Sequence, residues 1–245
     1  MNKMQKNKTI LVTGASKRIG ESLTQELANN DYAIAIHYYQ SKKYAQQLMT
    51  KINDSGGKAN IFEANLSNVA DTKGLVSQAT EKMGPLHALI NNASIFAPEE
   101  WNDVTIQSWQ QNLTVNLHAP FILSQAFAEQ LPTPMEGSII NIIDQCVLNL
   151  TPHFFSYTIS KSALWTLTQT LARALAPRIR VNAIGPGPTL PNTMQSPEDF
   201  LKQAQSTPLA RQVPLAEINK TVIYLLNAHA VTGQMIAVDS GEHLG

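Results

Sequence analysis

Several things are scarce in this 245-residue chain, and each scarcity excludes something. The single cysteine, Cys146, cannot close a disulfide within the chain, which fits a reducing compartment. No apolar run approaches the roughly 20 residues that a bilayer-spanning helix needs. Charge is sparse and balanced, with 18 Lys plus Arg against 18 Asp plus Glu, so no global field points to nucleic acid or an anionic membrane. His-x-x-x-His and Cys-x-x-Cys spacings are absent, and no metal is expected. The polar, basic start MNKMQKNK leads into no signal-type apolar stretch. The expectation is a cytoplasmic protein that handles a small molecule, with no nucleic-acid or membrane partner.

What is present is a soluble composition, 43% hydrophobic and 15% charged, long enough for one well-buried domain over residues 1–245. Short β-like runs at Thr9–Thr13, Ala33–His37, Ala59–Phe62, Ala88–Asn91, Ser138–Ile143, Arg180–Ile184 and Met235–Val238 alternate with amphipathic stretches. Leu164, Leu167, Leu171 and Leu175, spaced by three and four, exemplify the helical pattern. Strands separated by helix-length segments predict right-handed βαβ units and a doubly wound α/β fold with a parallel sheet. Ligands of such sheets lie beyond the carboxyl ends of the strands. One proline-rich segment, Gly185–Pro214, follows a strand and reads as a substrate lid. Within it, Pro197–Gln205 predicts a short helix with Ser196 as its cap.

VTGASKRIG opens the first helix after the first strand. Gly14 permits the tight turn, Gly20 lets the helix approach the sheet, and the free N–H groups of the helix start attract a pyrophosphate. Arg18 replaces the usual middle glycine and places a guanidinium where phosphates would lie. An NAD site needs an acid at the end of the second strand, but this chain reads His37, Tyr38, Tyr39, Gln40, Ser41, Lys42, Lys43. Without that carboxylate, and with Ser41, Lys42 and Lys43 available for a 2′-phosphate, NADPH is the expected cofactor. The two lysines can also be read as solvated first-turn residues.

Tyr157 and Lys161 are one helical turn apart in SYTISK, so they share a helix face. An ammonium beside a phenol lowers the phenol pKa and makes it a usable proton donor. Asp144 lies thirteen residues before the tyrosine, after the fifth strand. It can serve chemistry or form a turn with its own backbone. Asn116 in VNLHAPF can satisfy backbone groups at a helix irregularity, Ser94 can shape a turn, and Phe96 can cover a core or a ligand. His153 and Cys146 carry no assigned role and read as structural.

The series Gly14-x-x-x-Arg18-x-Gly20, Asn91-Asn92-Ala93-Ser94, Asn116, Tyr157-x-x-x-Lys161 and Gly185-Pro186-Gly187 resembles the short-chain dehydrogenase/reductase family, over nearly the whole chain. The resemblance implies a seven-stranded parallel sheet of the Rossmann type in a single domain, a catalytic set drawn from Asn116, Tyr157 and Lys161, and a homotetramer. Arg18, HYYQS, NNASIF and Asp144 in place of the family serine resemble the pteridine reductases and dihydromonapterin reductases within it. That likeness implies Asp144 in catalysis and Phe96 stacking on a pterin. Substrate contacts would then come from Arg18, Ser94, Phe96, Asp144 and Tyr157. Cofactor contacts would come from Gly14, Ser16, Lys17, Arg18, Ile19 and Gly20 in the turn, and from His37, Tyr38, Tyr39 and Ser41 beyond the second strand. Asn65 and Leu66, then Asn92, Ala93 and Ser94, and finally Tyr157, Lys161, Pro186 and Gly187 would complete that set. In the same likeness Lys161 also holds the nicotinamide ribose, with Asn116 supporting it through water. Gln40 stands where that group has an NADP-binding arginine, and Asn65 where the family usually has an aspartate.

A carboxylate at position 144 would repel the oxyanion of a carbonyl reduction. It suits a nitrogen-rich ring, where hydride reaches carbon and a neighbouring nitrogen takes a proton, directly or through Tyr157. The expected function is therefore NADPH-dependent reduction of a pterin or dihydropterin. The alternatives are a carbonyl reductase acting on an oxoacyl thioester or small ketone, and a non-catalytic NADPH-sensing subunit.

Overall fold

Strand β1 (Thr9–Val12) is fully buried along its length and lies third in a seven-stranded parallel sheet, ordered β3-β2-β1-β4-β5-β6-β7. The computed structural model describes residues 8–96, 98–192 and 195–245. The basic amino-terminal residues 1–7 lie outside these, as do residues 193 and 194 of the expected lid.

The chain winds outward from β1 in both directions. Helix α1 (Arg18–Asn29) leads to β2 (Ala33–Tyr38), and α2 (Lys42–Asp54) leads to the edge strand β3 (Lys58–Glu63). Helix α3 (Val69–Met83) crosses back to β4 (Leu86–Asn91), which pairs with β1. After α4 (Ile106–Leu113), a π-helical turn (Thr114–His118) and α5 (Ala119–Gln130) comes β5 (Gly137–Ile142). Then follow α6 (Phe155–Ala174), β6 (Ile179–Pro186), α7 (Pro197–Ser206), α8 (Leu215–Asn227) and β7 (Met235–Val238). Every expected strand is present, with no end moved by more than two residues.

Central strands are apolar runs because helices cover both faces, while β3, at an edge, alternates between exposed and buried positions. One core holds Leu11, Leu89, Phe127 and Ile139 under α3 and α5; the other holds Ile10, Leu23, Ile34 and Val222 under α1 and α8. Helix starts are locally encoded. Asn68 accepts from the Ala70 and Asp71 amides ahead of α3, and Ser196 accepts from the Asp199 amide ahead of α7, with Pro197 at the first position. Strand β6 runs through Pro186, so the first two residues of the expected lid, Gly185 and Pro186, belong to the sheet.

Candidate active site

A cavity of about 850 Å³ opens along the carboxyl edge of the sheet. At one end the chain turns from β1 into α1. Gly14 has φ of +59°, and a Cβ there would lie 3.0 Å from Ala93 Cα. A Cβ on Gly20 would sit 2.1 Å from the Gly14 carbonyl and 2.7 Å from Asn92 Nδ2, so only glycine fits. Arg18 keeps the left-handed conformation, φ 55°, that a glycine would adopt freely. Ser16, Lys17 and Ile19 also face the cavity.

The turn is fastened from three sides. His37 Nδ1 accepts from the Gly14 amide at 3.0 Å, and its Nε2 lies 3.1 Å from the Ala64 carbonyl. Burial pushes the His37 pKa down to about 4, so the ring is neutral and its Nε2–H donates. Asn92 Nδ2 donates to the Thr13 and Gly14 carbonyls, while Thr13 Oγ1 accepts from the Asn92 and Ala93 amides. Ser16 and Ser41 hydroxyls meet at 2.8 Å. His37 thus lines the cavity with both ring nitrogens engaged, and it acts on the turn's shape. Tyr38 is similar, since its hydroxyl donates to Glu63 at 2.9 Å.

Tyr39, Ser41, Asn65 and Leu66 line the same cavity. Lys42 and Lys43 are placed differently. They open α2 and border a separate surface depression with Gln46 and Asp54, because helix geometry carries them off the cavity rim. Lys17 lines the cavity instead, its Nζ 4.5 Å from the Tyr44 ring centroid. A narrow glycine turn, free helix-start amides, clustered hydroxyls and a lysine fit a phosphorylated dinucleotide.

At the other end, Asp144 follows β5. Its Oδ1 accepts from the Cys146 amide at 2.9 Å, a turn-forming contact, and its Oδ2 accepts from the Tyr157 hydroxyl at 2.7 Å. The turn-forming contact is thus present, and it leaves the second carboxylate oxygen to Tyr157. Tyr157 and Lys161 share the buried face of α6. The Tyr157 pKa is raised, by burial first and then by the Asp144 charge, which corrects the expectation that Lys161 would lower it. Lys161 Nζ donates to the Ile142 carbonyl at 2.9 Å and lies 5.6 Å from the tyrosine ring centroid. Burial pushes its pKa down to about 8. The desolvation of both groups outweighs the ammonium's pull on the phenol.

Asn116 sits in the π-helical turn and makes no direct hydrogen bond to Lys161. Its Oδ1 accepts from the Ile95 amide and the Ser94 hydroxyl, and its Nδ2 donates to the Ile95 carbonyl, Asn112 and Ser160. The geometry makes it a tie between the loop after β4 and α6. Ser94, Phe96, Pro186 and Gly187 all face the cavity, and a Cβ on Gly187 would come within 2.6 Å of Asp239. Arg18 spans to the segment after β6, where its guanidinium donates to the Pro191 carbonyl at 2.9 Å and the Leu190 carbonyl at 3.3 Å. His153, read as structural, is exposed and paired with Glu100 at 2.7 Å. Cys146 is half-buried, its thiol pKa pushed up by burial and by Asp144.

Several residues that sequence reasoning missed complete the site. Phe154, with φ of 55°, stacks on Phe96 at 4.4 Å between centroids, and Tyr157 meets Phe96 edge-on at 4.8 Å. The buried Glu99 reaches the start of α6, where its Oε2 accepts from the Ser156 amide at 2.9 Å and also from the Ser156 hydroxyl. Helix α6 has no side-chain cap at its own Phe154, so Glu99 supplies one from a distant loop. Gln145, Gln203 and Glu242 line the cavity opposite the glycine turn. No local pattern marks any of these; an acid in a proline-containing loop reads as solvated surface.

Residues 8–201 match the family model for short chain dehydrogenase. The crystal structure of FolM alternative dihydrofolate reductase 1 from Brucella suis, in complex with NADP, is 46% identical, with a TM-score of 0.95 over 98% of this chain and 96% of that one. Its counterpart from Brucella canis, also complexed with NADP, is 45% identical, with a TM-score of 0.96 over 100% and 97%. The 3-oxoacyl-[acyl-carrier-protein] reductase FabG of Staphylococcus aureus is 31% identical, covering 98% of this chain and all of that protein. The chain belongs to the short-chain dehydrogenase family, as an oxidoreductase on that family's Rossmann-like fold.

Proposed function

We propose that this protein is an NADPH-dependent reductase of a pterin or dihydropterin ring. The observation that carries the reading is the 2.7 Å hydrogen bond from the Tyr157 hydroxyl to the Asp144 carboxylate. The Brucella relatives, named as dihydrofolate reductases, support it, because dihydrofolate contains a dihydropterin. Their bound NADP supports the cofactor, as do Lys17, Ser16 and Ser41 around the cavity end that lacks an acid.

A nicotinamide dinucleotide held along this edge supplies the hydride. The chain's own task is the proton. Burial and the Asp144 charge hold Tyr157 in its protonated form, which is the form a donor needs. The ring nitrogen, made basic by hydride addition next to it, draws the proton from the Tyr157–Asp144 pair. Lys161, charged at neutral pH, offsets the negative charge left on that pair until a proton returns from solvent. Phe96, 41% exposed and facing the cavity, offers an aromatic surface for the flat ring. Arg18, Ser94 and Asn116 hold the rim and the loop that carries it. The segment 187–214 serves as the lid, and the active form is a cytoplasmic homotetramer, for which light scattering on the purified protein is the test.

The FabG relatives favour a second reading, reduction of a 3-oxoacyl thioester. The two separate on Asp144→Ser. Under the pterin reading, kcat/KM for 7,8-dihydrobiopterin falls by about 10²–10⁴, the usual worth of general acid assistance, while a small diketone is reduced as well or better. Unchanged dihydropterin kinetics in the serine variant, or acetoacetyl thioester turnover exceeding that of every dihydropterin in the wild type, would overturn the pterin reading.

A further inference from the structure

The cavity has a second carboxyl that the proton transfer does not use. Glu242 lies in the turn after β7, and its Oε1 accepts from Gln203 Nε2 of α7 at 2.8 Å. Gln203 Oε1 in turn accepts from Gln195 Nε2 at 3.0 Å, so a chain of two lid amides orients the carboxylate. All three side chains line the cavity. Glu242 Oε2 has no partner among the described residues. The turn at Gln145–Val147, directly after Asp144, packs against the turn at Glu242–Leu244. In that same wall Gln145 Oε1 is buried and unpartnered.

Gln145 Oε1, a buried acceptor without a donor, is destabilising unless something supplies one. Glu242 is pushed toward its neutral form by burial, an effect the Gln203 bond opposes and the Asp144 and Asp239 charges reinforce. A ligand presenting adjacent N–H groups relieves both problems, because it satisfies the free oxygens and places partial positive charge between like charges. A thioester carbonyl, an acceptor itself, does neither.

We propose that Glu242, oriented by Gln203, is a specificity-determining residue that accepts the paired N–H donors of a 2-amino-4-oxopyrimidine ring. The inference rests on the pterin reading above and names the ring edge that the lid side recognises. Asp144 and Tyr157 then serve the reacting edge of the same ring, and the lid helix α7 becomes part of substrate selection.

The test is equilibrium binding to the full-length protein saturated with NADP, by calorimetry, so it does not depend on turnover. The probes are 6,7-dimethylpterin and 6,7-dimethyllumazine, which carries an oxo group in place of the 2-amino group. The wild type should prefer the pterin. Glu242→Ala should weaken pterin binding by about ten- to a hundredfold, with lumazine affinity and thermal midpoint unchanged. Glu242→Gln, whose amide sets donors against donors, should lose nearly as much, and Gln203→Ala should lose less. Pterin affinity within twofold of wild type in Glu242→Ala would overturn the assignment, as would equal weakening of both probes or a wild type that binds no pterin. NADPH oxidation with 7,8-dihydrobiopterin is measured separately. Glu242-dependent binding without oxidation sinks the reductase reading and leaves this site standing; oxidation indifferent to Glu242 does the reverse.

Discussion

The two ends of the cavity differ in how fully their polar groups are used. Around the glycine turn, both His37 nitrogens, Asn92 Nδ2, Thr13 Oγ1 and the Ser16–Ser41 hydroxyl pair all have protein partners. Around Asp144 and the lid, Phe96 is 41% exposed, Gln145 Oε1 is an orphan and Glu242 keeps one oxygen free. A saturated network fixes a shape, and here the shape is a groove that offers backbone amides. An unsaturated wall keeps its hydrogen-bonding capacity for what arrives. The difference teaches that one end recognises by contour and the other by chemistry, so substitutions at the two ends should fail in different ways.

The largest effect belongs to the chemical end. Tyr157→Phe should lower kcat on the best dihydropterin by about 10²–10⁴ with NADPH affinity held, because only the donated proton is removed. Stopped-flow hydride transfer and a cofactor titration check the two halves of that statement; near-wild-type rates would break the comparison.

Lys161 provides the next effect, read through pH. Its folded pKa of about 8 lies below the ordinary 10.5, so between those values the unfolded chain holds a proton that the folded chain has released. Stability contributed by this residue therefore rises with pH across the window, by at most about 3 kcal/mol, and the burden of the buried charge is greatest below it. The raised Tyr157 pKa acts oppositely, beginning above 10. Urea unfolding at several pH values should show a flatter profile for Lys161→Met than for wild type between 8 and 10.5.

A smaller, purely steric effect belongs to the contoured end. Gly20→Ala forces a methyl to 2.1 Å from the Gly14 carbonyl, and should destabilise the fold by about 1–3 kcal/mol while weakening NADPH binding. Equal stability and equal affinity in that variant would show the groove to be more pliable than its contacts indicate. The smallest effect is expected at Glu99→Ala, which uncaps α6. Loss of a cap is worth about 0.5–2 kcal/mol, and the displaced Tyr157 should lower kcat with little change in NADPH affinity.

The same contrast explains what the sequence disclosed. Central strands were readable because covered parallel strands are continuous apolar runs, although β3, β4 and β6 were each read two or three residues too short, in β3 because its ends Lys58 and Glu63 are polar at a sheet edge. The glycine turn and the Tyr157–Lys161 pair are local patterns, and the fold brought them together as expected. Lys42 and Lys43 were misplaced because adjacency in sequence says nothing about which way the first turn of α2 faces. Glu99, Phe154, Gln203 and Glu242 were invisible because each has a partner tens of residues away, and only the packing of distant segments brings these pairs together. The raised Tyr157 pKa escaped for a related reason, since spacing reveals a neighbouring charge but not the dryness around it.

The interior place of β1 also shapes how the molecule can be made. Its register partners in β4 are Leu86–Ile90, so a chain growing from the ribosome carries a buried-type apolar strand with one unpaired edge until about a third of its length is synthesised. Every strand pairing in the sheet spans a helical crossover, and such non-local contacts form slowly. Expression yield should therefore depend on translation speed between β1 and β4.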